Sequence, residues 1–294
     1  MNLTAESISL SLANFRTQML TALTDSAAND GASFGGIMSQ LQAGGDGSSA
    51  ANSLSMLGAG NTPASGGLPG SSGGPASGYA MMTRINGLDV LYKAQYSELN
   101  EMENTLPQLQ AAAQHLGAVD GATANDGIAA QLQSFVREYN AWVQRFKPDV
   151  QKGGVLAGTQ AAELSLYELN QSVTDPFIGA KDGLHGLASI GISIDPTSKL
   201  MSVDATQLDA ALANNKPGVV AAVDAFSANF AEAARLLADN GNIVRNRLDN
   251  LNGAITYIDG NAQAWQSEFG SGDPPNPTGQ VAQALAAYRS TSSI

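Results

Sequence analysis

Residues that could do chemistry are few in this 294-residue chain, which has no Cys and only two His. Without thiols there are no disulfides, thiolate metal sites or cysteine nucleophiles. His115 and His185 each stand without a carboxylate or second His at metal-ligand spacing. His115 falls at a predicted helix end, where its ring contacts the C-terminus favourably. His185 lies in a Gly-flanked loop and is expected to be exposed. Glu98, Glu101 and Glu103 could form an acid–base set, but such a set needs an enclosed cleft. They are read as a solvated helix face. Asp195 and Asp204 flank a predicted hairpin and are read as turn and cap residues, not calcium ligands. The chain has no Gly-x-Ser-x-Gly, no His-Glu-x-x-His and no kinase-type loop. The expectation is a protein that is not an enzyme and carries no cofactor and no metal.

Composition narrows the class further. Net charge is −12, and the 14 Lys and Arg are scattered without forming a basic patch. That argues against nucleic acid and against anionic membrane. No window reaches the ~18 apolar residues of a membrane span, and the first thirty residues lack a secretory pattern. Charged residues make up 14% of the chain, against about 25% in an average globular protein. Part of the chain is therefore expected to be tail or linker.

That part is residues 43–78, where Gly, Ser and Pro dominate and Asp46 is the only charge. Such a segment buries too little to offset its ordering entropy. It is read as a flexible linker with a random-coil reach of about 30–36 Å. Before it, residues 1–42 hold an amphipathic helical stripe over 3–28 (Leu3, Ile8, Leu12, Phe15, Met19, Leu23) and a short helix over 33–42. After it, residues 79–270 form the main domain, and residues 271–294 a tail with a short helix whose apolar stripe is Val281, Leu285 and Tyr288.

Within 79–270 the spacing predicts a mainly α fold: an antiparallel helical bundle or coiled coil with a small β-hairpin. A long helix spans 79–118. Its seam runs through Ile85, Leu88, Tyr92, Gln95, Leu99, Met102, Leu106 and Leu109. Pro107 should kink or split it near 104–106. Amphipathic helices follow at 127–147, ended by Pro148, and at 159–174. Residues 187–203 change to period two, with Ile190, Ile192 and Ile194 alternating before an Asp195-Pro196-Thr197-Ser198 turn and Leu200, Met201 and Val203. Asp204 should cap a helix to about 213, and Pro217 should open another to about 239.

The cleanest pattern covers 241–269. Val244, Leu248, Leu251, Ile255, Ile258, Ala262, Trp265 and Phe269 alternate spacings of four and three. A lone helix with this stripe cannot stay exposed. The partner within the chain is the 79–118 helix in antiparallel pairing; a second copy is the rival. Trp142, Trp265 and Phe269 could be surface anchors; Trp265 and Phe269 lie on the stripe, so core or seam is the default reading.

Several runs match a known family in order and spacing. Ser134-Phe135-Val136-Arg137-Glu138-Tyr139-Asn140 resembles the "FV-x-x-YN" helix of the flagellar filament-capping proteins, the hook-associated protein 2 family. Leu156-Ala157-Gly158-Thr159 is similar to that family's "G-x-L-x-G-D" step, with Thr159 where Asp is usual. The run from Leu187 through Gly191 to Ile194 resembles its "L-x-x-I-G-I" strand. The run Lys199-Leu200-Met201-Ser202-Val203-Asp204 resembles "G-x-L-x-x-D", with Lys199 replacing Gly. Gln207-Leu208-Asp209-Ala210-Ala211-Leu212 resembles its "x-L-x-x-A-L" helix. The family-motif positions are thus Phe135, Val136, Tyr139, Asn140, Gly191, Leu200, Asp204 and Leu208.

The resemblance covers about 80–270 and implies the leg part of such a protein. The large head domains, which the family carries between its N-terminal helix and the "FV-x-x-YN" helix, are missing. It implies a structural component of the bacterial flagellum, a reduced filament-cap-like or hook-associated protein. Such a protein would be exported to the extracellular filament without a cleaved signal peptide, would assemble as a homo-oligomer, and would meet flagellin or hook-associated proteins. Some relatives contribute to adhesion. The terminal segments 3–28 and 281–289 would then order only on binding. The alternative is a cytoplasmic assembly factor or regulatory module with the same fold.

Overall fold

The computed structural model describes residues 75–174, 184 and 186–292. The amphipathic segment 1–42, residues 43–74 of the stretch 43–78 read as a linker, and His185 lie outside the described residues; the last four residues of that stretch, 75–78, lie in α1. The fold is mainly α, a helical bundle with a small two-stranded antiparallel hairpin. In order come α1 (Pro75–Leu116), α2 (Asn125–Val150), α3 (Gln160–Thr174) and a 3-10 turn (Leu187–Ile190). Then follow β1 (Ile192–Ile194), β2 (Met201–Val203), α4 (Ala205–Leu237), α5 (Ile243–Phe269) and α6 (Gly279–Ser292).

The described chain forms two compact units. One holds the start of α1 up to Gly87 together with Gly260–Pro275; the other holds Leu88–Asp259 together with the chain from Asn276.

The first unit is a helix and a returning chain pinned by side chains. The Tyr79 hydroxyl donates to Asp273 Oδ1 at 2.7 Å, and the Asp273 amide donates to Thr83 Oγ1 at 2.8 Å. Asn86 Nδ2 donates to the carbonyls of Ser271 at 2.9 Å and Asp273 at 3.0 Å. Gly272, with φ 65°, lets the two backbones meet: a Cβ there would strike the Thr83 amide and lie 2.7 Å from the Met82 carbonyl carbon. The hydrogen bond to Asp273 raises the Tyr79 phenol above its ordinary pKa.

The second unit carries the main core. It runs from Leu99, Met102, Leu106 and Leu109 of α1 through Phe135, Tyr139 and Phe146 of α2 to Phe226 and Phe230 of α4 and Val244, Leu248 and Leu251 of α5. Phe135 meets Phe226 and Phe230 edge-on at 5.2 and 4.9 Å, a favoured aromatic geometry.

Three local expectations are corrected. Pro107 does not split α1, which is continuous from Pro75 to Leu116. Leu106 and Leu109 are buried while Pro107 is exposed, so packing on one face outweighs the ~3 kcal/mol local cost. Pro148 likewise sits in the last turn of α2, which runs on to Val150. Ile190 is not on a strand: residues 187–190 form a 3-10 turn that ends at Gly191, with φ 86°. Residues 281–289 lie within a helix, α6, whose Ala284 and Leu285 are buried.

The break between the helices near 213 and 217 has a clear local cause. Asn215 has φ −150° and ψ 62°, a non-helical residue inside α4. Its Oδ1 accepts from the Gly218 amide at 3.0 Å and so caps the segment that follows. Between α1 and α2 the connection is only residues 117–124. Asp120 closes it, its Oδ1 accepting from the Ala122 amide at 3.0 Å and the Thr123 amide at 2.8 Å.

Candidate functional site

Three features of the second unit gather the residues singled out from the sequence. The first is the packed face between α1 and α5. Leu99, Met102, Leu106, Leu109, Val244, Leu248, Leu251 and Ile255 are all buried. Leu88 and Ile258, near the ends of the stripe in this unit, are half-buried. Polar bridges across the pair run antiparallel: Arg245 to Glu103 at 3.2 Å, Arg247 to Gln95 Oε1 at 3.3 Å, and Lys93 to Asp259 at 2.8 Å. Gln95, the polar member of the stripe, is buried and also donates to the Val155 carbonyl at 3.3 Å. In the first unit, Ile85, Trp265 and Phe269 are half-buried, and Phe269 packs on Gly78.

The second feature is a clamp between α2 and the hairpin. Asn140 Nδ2 donates to the Met201 carbonyl at 2.8 Å, and the Met201 amide donates to Asn140 Oδ1 at 2.7 Å. One side-chain amide thus completes the outer edge of β2, where an unpaired backbone would otherwise be left. Val136 and Tyr139 are buried beside Phe135 in the core. Burial raises the Tyr139 phenol pKa, against the hydrogen bond it accepts from Asn170 at 3.4 Å. At the hairpin's other end, Gly191 lies so close to the next helix that a Cβ would sit 2.8 Å from the Asp204 carbonyl oxygen. Asp204 then caps α4, accepting from the Gln207 amide at 3.0 Å, and Leu208 enters the core. Leu200 is half-buried, and Lys199 before it has φ 63°, a region where glycine is at ease and lysine is strained.

The third feature was not legible from residue types alone. Arg145 of α2 reaches Glu98 and Glu101 of α1, each at 2.6 Å, and Asp149 of its own helix at 2.9 Å. Glu98 is therefore not on a solvated face: it is 7% exposed, and Asp149 is 3% exposed. Burial pushes the Glu98 carboxyl above its ordinary range, and Arg145 opposes that shift. Burial also raises Glu103, against the pull of Arg245. Arg145 itself is held more firmly protonated: burial opposes this, but its hydrogen bonds to Glu101 and Glu98 outweigh it. The i, i+3 spacing of Glu98 and Glu101 and the i, i+4 spacing of Arg145 and Asp149 are the signal that the sequence offered.

The remaining polar candidates have structural partners. Asp195 Oδ1 accepts from the amides of Thr197 at 3.0 Å and Ser198 at 2.5 Å, and those bonds, Ser198 first, lower its pKa. Trp142 is buried, and its indole donates to Thr105 Oγ1 at 3.0 Å. His115 is in the last turn of α1 and lines an open groove of 610 Å3 with Gln131 and Glu138. Among the described residues no group of three His, Asp or Glu is placed to hold a metal ion. Nor is any described helix long and apolar enough to cross a membrane.

The antiparallel α1–α5 face, the short α1–α2 connection and the hairpin clamped to α2 by Asn140 define a helical module. The family model for the flagellar hook-associated protein 2 C-terminus matches residues 108–270, more than half of the chain. The chain belongs to the flagellar hook-associated protein 2 family. Among solved structures, it is similar to the crystal structure of the D1-D2-D3 domains of the flagellar cap protein FliD from Escherichia coli. That match has 20% identity and a TM-score of 0.39, covering 45% of this chain and 37% of the FliD chain. The curated proteins gave no match.

Proposed function

We propose that this chain is a structural component of the bacterial flagellum, a reduced filament-cap-like or hook-associated protein that works by helix-mediated assembly. The observation that carries this reading is the family match across 108–270. The "FV-x-x-YN" run inside it supplies Phe135 and Tyr139 to the core and Asn140 to the hairpin clamp. The short connection 117–124 supports the reduced form, because no head domain stands between α1 and α2. The protein acts outside the cell, reaches the filament without a cleaved signal peptide, and meets flagellin or hook-associated proteins there. It binds as a packed scaffold, and it self-associates. The α1–α5 stripe from Ile85 to Leu109 and from Val244 to Phe269 is the assembly seam that holds the leg together.

Gold labelling of an epitope-tagged chain tests this role. The expected result is label on flagella, concentrated at filament tips or at the hook–filament junction. Label confined to the cell interior would replace this reading with a non-exported assembly factor of the same fold.

A further inference from the structure

Helix α6 is attached unlike the other helices of its unit. Its apolar stripe is short: Val281, Ala284, Leu285 and Tyr288, at i, i+3, i+4 and i+7. Only Ala284 and Leu285 are buried. Ala284 joins Ala94 of α1 and Val155 of the α2–α3 loop in a small cluster apart from the main core, with Val281 packed on it. Tyr288 meets Tyr96 edge-on at 5.9 Å. A 14-residue helix is marginal alone in water, so α6 depends on this groove for its helicity. Leu285, the cluster around Ala284 and the Tyr288–Tyr96 contact hold it, a set apart from the main core, so α6 opens as a local unit without unpacking that core.

The chain leading to α6 suits such release. Pro274, Pro275 and Pro277 keep it extended, and Gly279 starts the helix at φ 59°. We propose that α6 is an exchangeable arm, docking on the Ala94–Tyr96–Val155 groove of its own chain or on the same groove of a second copy. No new complementarity is needed, because each copy offers the groove that already fits the arm, the logic of domain swapping. This goes beyond the flagellar role and is testable on purified protein whatever the cellular location.

The absence of Cys makes the test clean. Two full-length single variants, Tyr96→Cys and Tyr288→Cys, one isotopically labelled, are mixed in equal amounts and treated with a short bismaleimide. Mass spectrometry then reads the bridged peptides. The expected product joins position 96 of one chain to position 288 of the other, and its yield rises several-fold with tenfold higher protein concentration. Adding Leu285→Asp to the Tyr288→Cys chain should reduce that yield at least fivefold. Lack of any 96–288 bridge between chains would overturn the proposal. So would a bridge of unchanged yield with Leu285→Asp, because it would come from random collision and not from the docked arm.

Discussion

At Asn140 a single amide side chain makes two hydrogen bonds to Met201, so its removal strands a backbone donor and an acceptor together. Asn140→Ala should therefore cost about 2 kcal/mol in urea unfolding, and exchange at the hairpin amides should rise before the rest of the unit opens. Lys199 offers the opposite case. It occupies φ 63° at the position where its family's pattern has Gly. Lys199→Gly should raise stability by up to about 1 kcal/mol, as relief of strain outweighs the added freedom of the unfolded chain. Glu98 gives a pH signature. Its folded pKa is raised by burial above the ordinary 4.5, so the folded state holds that proton more tightly than the unfolded chain does. Its stabilising contribution is full below the ordinary Glu range and is lost as pH rises through the folded value. The melting temperature of Glu98→Gln relative to the parent should therefore climb as pH rises from the ordinary Glu range toward neutrality. A difference that stays constant with pH would show that Glu98 does not titrate in this way.

At the scale of elements, the α1–α5 pair is where sequence period and structure speak to the same question. Ile255 is buried at 3% exposure, so Ile255→Asp places an unpaired carboxylate in an apolar face. We expect a loss of about 4 kcal/mol in denaturant unfolding; a near-parental midpoint would mean that the stripe is not packed there. The helices were legible because apolar residues at three- and four-residue spacing admit one face only. The cap at Asp204 was legible because a side-chain oxygen must meet free amides there. The continuity of α1 through Pro107 was not, because local propensity carries no information about Leu106 and Leu109 on the buried side. Ile190 misled for a related reason: alternation from Ile190 to Ile194 looks like strand, and the turn at Gly191 depends on close approach to Asp204. The Arg145 node was hidden because its partners come from α1 and α2 together, which spacing within either helix cannot pair.

At the scale of the whole molecule, the account joins a braced helical module of the hook-associated protein 2 family to an acidic, cysteine-free chain with net charge −12. The Gly/Ser/Pro-rich run before α1 is proposed to act as a tether, not as part of the packed units. Deleting residues 43–74 should leave the melting temperature within about 1 °C, since surface changes away from packed features stay within ~0.5 kcal/mol. A large fall would give that run a structural role. The central claim, a flagellar part that works outside the cell, is met most directly by fractionation. A tagged chain would be followed in sheared flagella, culture medium and cells, with and without a working flagellar export gate. The account predicts gate-dependent appearance in the flagellar fraction; retention inside the cell in both strains would contradict it.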